Sequence, residues 1–227
     1  MEAFPINDSA WYNAPQIHLE FRQGIFLKLL WIVIMISIGS WAFPAQRDGN
    51  ILLQDDFRTR INRWSLTRTA KLTVDYSDGQ LQMKIISPGN RIWSIPDTAS
   101  QMSRYHLRVN VGILESSEDS AVGVIFNYQN DENFYLFEIE KQGNYDVQII
   151  EDGEMHTLIE GSIEAARDYL FDMEVVDGEF TFSINDTELP VFEDDTFTKG
   201  VFGLFSRAGH GAIHAAFDDL LVVDIQQ

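Results

Sequence analysis

The amino-acid sequence predicts an all-β body, an antiparallel two-sheet jelly-roll sandwich, preceded by one N-terminal transmembrane helix. Three features of the chain point there. From Ile51 onward, short runs rich in Val, Ile, Phe and Tyr alternate apolar and polar residues with period two. Tight-turn signals built on Gly, Asn and Asp separate those runs. Upstream, 18 consecutive uncharged residues run from Leu29 to Gln46. A βαβ architecture fails because no helical periodicity stands between the runs.

Taken in chain order, residues 1–24 show no sustained periodicity and contain Pro5 and Pro15, which predicts a largely unstructured cytoplasmic tail. Residues 25–46 form the anchor. Its inner part, Leu29–Phe43, is apolar except at Ser37, Gly39 and Ser40. As a helix, 18 residues reach about 27 Å, close to a hydrocarbon thickness of about 30 Å. Arg22 and Lys28 lie on the N-terminal flank, so the positive-inside rule puts the N-terminus in the cytoplasm. Trp31 and Trp41 sit near the two ends, where an indole favours the interface. Ser40-Trp41-Ala42 also offers small residues at positions −3 and −1 of a signal-peptidase site after Ala42. An uncleaved anchor and a cleaved signal therefore both stay open. Either exports residues 47–227, giving a single-pass protein with an extracytoplasmic domain in the first case and a secreted one in the second.

The body's expected strands are Leu52–Phe57, Leu72–Tyr76, Gln80–Ser87, Arg91–Ile95, Tyr105–Leu114, Ala121–Tyr128 and Phe134–Glu140. Tyr145–Glu151, His156–Glu160, Leu170–Val176, Glu179–Asn185, Gly200–Ser206 and Ile213–Ile225 follow. Ser77-Asp78-Gly79, Gln142-Gly143-Asn144, Glu151-Asp152-Gly153 and Val176-Asp177-Gly178 place Gly or Asn where hairpins need positive φ. Only Ile163–Arg167 looks helical, for one or two turns.

Composition excludes several function classes. The chain carries 16 Lys and Arg against 35 Asp and Glu, a formal charge of −19. Residues 1–47 hold three of each sign, so the remaining 13 bases and 32 acids carry all of it. Such a body repels phosphate backbones and is no nucleic-acid binder. Cysteine is absent, which removes disulfides, thiolate metal sites and thiol nucleophiles.

The order of elements resembles a family. Asp55-Asp56-Phe57 followed by Trp64 and a Gly79-x-Leu81 strand resembles the opening of concanavalin A-like, or laminin G-like, jelly rolls. Ala121–Ile150 resembles the middle hairpins of bacterial members. Gly178-x-Phe180-x-Phe182-x-Ile184-Asn185-Asp186, then Phe197-x-x-Gly200-x-Phe202-Gly203-Leu204, then Phe217-Asp218-Asp219-Leu220-x-Val222 resembles the closing strands. The resemblance covers about Leu52–Ile225. It implies a fold shared by lectins, carbohydrate-binding modules, glucanases and 3-keto-disaccharide hydrolase-type domains, and fold alone leaves the choice among them open.

Strand alternation sorts the polar residues. Val122, Val124, Phe126 and Tyr128 share one face, and Gly123, Ile125, Asn127 and Gln129 the other. Tyr135, Phe137 and Ile139 oppose Leu136, Glu138 and Glu140 in the same way. With the aromatic faces inward, Asn127, Gln129, Glu138 and Glu140 line the outside of one sheet. Sugars need amides or carboxylates for their hydroxyls and an aromatic ring for the pyranose face. Arg91 and Trp93, two residues apart on one strand face, complete the expected ligand site of Arg91, Trp93, Asn127, Gln129 and Glu138.

Glu138-Ile139-Glu140 invites comparison with the E-x-D-x-x-E or E-x-D-x-E motif of family 16 glycoside hydrolases. Ile139 replaces the central Asp, and Gln142 and Gly143 stand where a second Glu belongs. His210 and His214 are spaced i, i+4, but glycines flank them and no Glu follows the first, which excludes a zincin helix. Arg207 and His210 fall in an expected loop. Asn185-Asp186-Thr187 matches a glycosylation sequon, although Asn-Asp at a hairpin tip is better explained by turn geometry.

A structural Ca²⁺ is the expected cofactor, held by Asp55, Asp56, Asp218 and Asp219 where first and last strands run side by side. Phe217 and Leu220 are three apart, so a bulge there would let both reach the core. The function expected is a membrane-anchored binding module for a glycan or a cell-surface protein. A carbohydrate-active hydrolase and a structural interaction domain of an envelope complex are the alternatives.

Overall fold

A computed structural model describes residues 49–226. The expected tail, anchor and signal-cleavage site lie outside the described residues. Among the described residues the body is all-β, with sixteen strands in two antiparallel sheets. In chain order they are β1 (Ile51–Asp55), β2 (Thr67–Arg68), β3 (Leu72–Ser77), β4 (Gln80–Ile85), β5 (Arg91–Ser94), β6 (Arg104–Ser116), β7 (Ala121–Asn130) and β8 (Asn133–Glu140). They continue with β9 (Asn144–Glu151), β10 (Glu154–Ser162), β11 (Asp168–Val176), β12 (Glu179–Ile184), β13 (Thr187–Glu188), β14 (Phe192–Glu193), β15 (Val201–Arg207) and β16 (Ile213–Asp224). The larger sheet runs β13-β12-β11-β6-β16-β4-β3-β2, with β1 on β16 and β14 on β12. The smaller runs β10-β9-β8-β7-β15-β5.

The core lies between the sheets because each strand turns its apolar alternates to the same side. From the larger sheet come Tyr105, Leu107, Val109 and Val111 of β6 and Phe171, Met173 and Val175 of β11, all buried. Val122, Val124 and Phe126 of β7 and Tyr135, Phe137 and Ile139 of β8 meet them from the smaller sheet. Phe126 stacks on Tyr135 with centroids 5.1 Å apart, and Phe137 meets Phe182 at 4.6 Å. Offset and tilted aromatic pairs of this kind add about 0.5–1.5 kcal/mol each beyond burial.

The hairpin signals produce the turns they predict. Asp78-Gly79, Asp152-Gly153 and Asp177-Gly178 each have two successive positive φ values, as a type I′ turn requires. Asn185 and Asp186 do the same at φ 50° and 63°. The Asn185 carboxamide accepts from the Leu170 amide at 2.7 Å and donates to the Asp168 carbonyl at 3.4 Å. Turn geometry therefore explains that Asn.

Two differences stand out. Ile163–Arg167 is not helical. It is the crossing from β10 in one sheet to β11 in the other, and five residues cannot offset helix nucleation there. Extended backbone is favoured because Ile163 donates its N–H to the Gly143 carbonyl at 2.9 Å and Ala166 donates to the Tyr169 hydroxyl at 2.9 Å. β2, β13 and β14 are two-residue pairings too short to leave a periodic signal.

The first and last strands of the body do meet. β1 pairs antiparallel with β16, with Asp55 opposite Leu220. The register of β16 against β6 slips between Asp218 and Leu221, Asp219 takes φ 50°, and Phe217 and Leu220 are both fully buried. That is the bulge the sequence predicts.

Candidate functional site on the six-stranded sheet

The outer face of the smaller sheet carries residues that alternate away from the core. Pairing register lines six of them in one row across the strands. Glu160 of β10 faces Asp146 of β9, which faces Glu138 of β8. Glu138 faces Gly123 of β7, Gly123 faces Phe205 of β15, and Phe205 faces Trp93 of β5. With strands about 4.8 Å apart, Trp93 and Glu138 stand ~14 Å from each other. Gly123 keeps the middle of the row flat. A Cβ there would lie 2.2 Å from the Phe137 carbonyl oxygen, so no side chain fits.

One end of the face is aromatic and apolar. Ile125, Phe134, Leu136, Ile150 and Phe205 form a second buried cluster, with half-buried Trp93 and Tyr128 packed on it. The Trp93 and Phe134 rings lie 5.8 Å apart, and Tyr128 and Phe134 5.9 Å. Burial and the Asp131 carboxylate, which accepts from its hydroxyl at 2.6 Å, push the Tyr128 phenol up to about 12.

The other end is polar and almost closed to water. Glu138 is 2% exposed. Arg207 grips it in a bidentate pair, donating from Nη2 at 2.6 Å and from Nε at 3.1 and 3.3 Å. Arg207 also donates to Glu140 at 3.4 Å and to the Asp119 carbonyl at 3.1 Å. Burial raises the Glu138 carboxyl against the pull of Arg207. Burial alone would weaken Arg207, but Glu138 and Glu140 hold it more basic than usual. Beside them, burial and the Glu138 charge push Asp146 up to about 7. Gln148, on the same face of β9, donates to Asp146 Oδ1 at 2.8 Å, while its own Oε1 is buried without a partner. A buried acceptor left open costs about 1–3 kcal/mol, which a donating ligand would recover.

The predicted ligand residues divide. Trp93, Glu138 and Arg91 lie on this face, with Arg91 opposite Arg207. Asn127 does not. It sits at a bulge in β7, where φ is 46° and register slips against both β8 and β15. The bulge breaks alternation, so Asn127 is fully buried, donating to the Phe197 carbonyl at 2.7 Å and accepting from the Tyr105 hydroxyl at 3.5 Å. Gln129 lies beyond the bulge, exposed, and its Nε2 donates to the Asn127 carbonyl at 2.9 Å and to the Lys199 carbonyl. The sequence reading missed Asp146 and Gln148 and placed Arg207 in a loop, whereas Arg207 ends β15. The signal was present in β9, where Tyr145, Val147 and Ile149 alternate with Asp146 and Gln148.

The predicted metal ligands do not gather. Asp55 is 3% exposed, and its oxygens accept from the Phe57 amide at 2.8 Å, Asn62 at 2.9 Å and the Trp64 indole at 2.9 Å. Asp56 accepts from the Arg58 amide at 3.1 Å, and Asp219 accepts from Asn110 at 3.2 Å. Asp218 and Asp219 line a cavity of about 330 Å³ with Asn110 and Asp168. Among the described residues, no three His, Asp or Glu side chains are placed to hold a metal ion. His210 sits by Asp119 in a loop–loop clasp, and His214 contacts Gln82 at 3.0 Å, so the two histidines do not converge.

No protein-family model matches the chain, and no curated protein does. Solved structures do. The carbohydrate binding module CBM66 from Bacillus subtilis aligns with a TM-score of 0.56 at 16% identity, over 71% of this chain and 95% of that one. A Bacillus subtilis protein with a galectin-like fold aligns at 0.62 and 13% identity, over 78% and 96%. A Bacteroides ovatus GH16 protein of mixed linkage glucan, in complex with its product, aligns at 0.55 and 10% identity, over 76% and 100%. At these identities the likeness is one of fold, and the fold of the body is an antiparallel two-sheet jelly-roll sandwich.

Proposed function

We propose that the body is a glycan-binding module whose ligand lies across the outer face of the six-stranded sheet, held at the cell membrane by residues 25–46. The observation that carries it is the row from Trp93 over the flat Gly123 to Glu138 and Asp146. A ring for a sugar face stands at one end and hydrogen-bonding groups for hydroxyls at the other, the mixture typical of ligand sites. Fold neighbours that include a carbohydrate binding module and a glucan-directed GH16 protein support the same reading. The test is a glycan array probed with the full-length chain, followed by titration of Trp93→Ala and Gln148→Leu. Binding that falls at least tenfold in both variants supports the proposal. A blank array, or binding indifferent to both changes, overturns it and favours a protein partner.

One observation favours a hydrolase as second reading. Glu138 and Asp146 are cross-strand neighbours, and Asp146 is pushed up to about 7, the value a general acid needs. Against it, the Glu138 carboxylate is fastened to Arg207 and is not free to attack. Turnover of an oligosaccharide that disappears in Glu138→Gln and in Asp146→Asn would establish the enzyme.

A further inference from the structure

On the reading of this face as a glycan site, we infer that its polar end is a subsite for a cationic amino sugar, the ammonium of a 2-amino-2-deoxy residue. Its open hydrogen-bonding atoms are mostly acceptors. Gln148 is more than nine-tenths buried, its amide nitrogen gives one N–H to Asp146, and its Oε1 has no partner. The open atom is therefore an acceptor. Asp146, Glu138 and Glu140 add carboxylate oxygens around it. Arg207 directs four of its five N–H groups at Glu138, Glu140 and the Asp119 carbonyl, so it has little to offer an anionic ligand. A donating ligand suits these acceptors, and an ammonium brings three N–H donors where a hydroxyl brings one.

Charge points the same way. Groups facing Asp146 are Glu138 and Glu140 from β8, Glu160 from β10, Gln148 from β9, Arg207 from β15 and, at longer range, Arg91 from β5. Arg207 pairs with both Glu138 and Glu140, which leaves Glu160 and Asp146 without an ion pair among the described residues in a body that carries the whole −19. A uronate or phosphate-bearing glycan would add to that repulsion, and an ammonium relieves it. No metal geometry competes for these oxygens among the described residues.

The cation also makes binding proton-linked. Free, Asp146 keeps its proton to about pH 7 because burial and Glu138 disfavour its charge. An ammonium beside it favours the carboxylate, so the carboxyl O–H bond breaks and the proton passes to buffer as the cation seats.

The experiment is isothermal titration of the full-length chain at pH 6.5 with a glucosamine tetramer and with its fully N-acetylated counterpart. Each is run in two buffers of different ionisation enthalpy. The proposal expects the amine form to bind about tenfold or more tighter, as charge-assisted hydrogen bonds allow. It also expects a buffer-dependent enthalpy corresponding to release of up to one proton. In Asp146→Asn both the preference and the proton release should vanish. Equal affinity for the two tetramers, or a preference that survives Asp146→Asn, overturns the amino-sugar subsite and leaves the glycan reading standing. Binding of neither tetramer, with a blank array, overturns both.

Discussion

Replacing Asp146 with Asn should stabilise the body, and only at high pH. Asp146 is pushed from an ordinary 3.8 to about 7 by burial and by Glu138. Folded protein therefore holds this proton more tightly than unfolded protein. Between about pH 4 and 7 the native state binds more protons, so this group's contribution falls as pH rises through that window. A move from 3.8 to about 7 corresponds to ~4 kcal/mol at about 1.36 kcal/mol per pH unit. Asp146 is half-buried, and solvent screening brings the figure down to about 2 kcal/mol. Asn removes the titration and keeps an Oδ1 acceptor for Gln148 Nε2, now at 2.8 Å. For a domain of this size about 1 kcal/mol moves Tm by 2–4 °C. The variant should thus gain about 4–8 °C at pH 8.5 and nearly nothing near pH 4. Thermal melts followed by circular dichroism from pH 4 to 9 measure it. A gain independent of pH, or a loss at pH 8.5, would refute the placement of Asp146 beside a buried, charged Glu138.

Arg207→Ala leaves Glu138, 2% exposed, without its cation and should cost about 3–5 kcal/mol. Adding Glu138→Gln should return more than half of that in a double-mutant cycle by urea unfolding. Asp55→Ala strips three donors of one buried carboxylate and should cost about 2–4 kcal/mol, read as a lower denaturation midpoint. Because those oxygens are already occupied, melts in chelator and in millimolar Ca²⁺ should superimpose, and separation of the two curves would reinstate a calcium site. The 18 uncharged residues from Leu29 to Gln46 predict a chain that keeps Met1 and stays with membranes through carbonate extraction. A mature N-terminus at Phe43 would instead mark a cleaved signal.

The fold was legible because the information that sets it is local. Period-two alternation in β6, β7 and β8 assigns inward faces without knowledge of any partner, and Asp-Gly pairs fix the hairpins through backbone sterics alone. Even the β16 bulge was readable, since Phe217 and Leu220 cannot both be buried on an unbroken strand. Alternation misleads where no such apolar pair announces the break. At Asn127, Phe126 before it is buried inward as expected, and the slip is visible only in the register against β8 and β15. Gly200 takes part in that slip. A Cβ there would lie 2.2 Å from the Asn127 carbonyl carbon, so the close approach of the two backbones needs glycine. Nothing within the local sequence of either residue states that they meet.

The site was less legible for the same reason carried further. Asp146, Glu138 and Gly123 are neighbours through consecutive hairpins, and a sequence reading can reach them by counting alternates. Phe205, Arg207 and Trp93 join them only because β15 inserts between β7 and β5, an order no local pattern encodes. Arg207 shows the consequence. Read beside His210 it is a loop cation, whereas β15 carries it against β7, where its guanidinium reaches Glu138 on the next strand over. Once there, it settles what the carboxylates can do. It holds Glu138 as a paired charge, and burial together with that charge keeps the neighbouring Asp146 protonated to about pH 7. The titration of one residue on β9 thus depends in part on strand order three strands away. A ligand that alters the charge on this face should therefore be felt first as a proton gained or lost at Asp146.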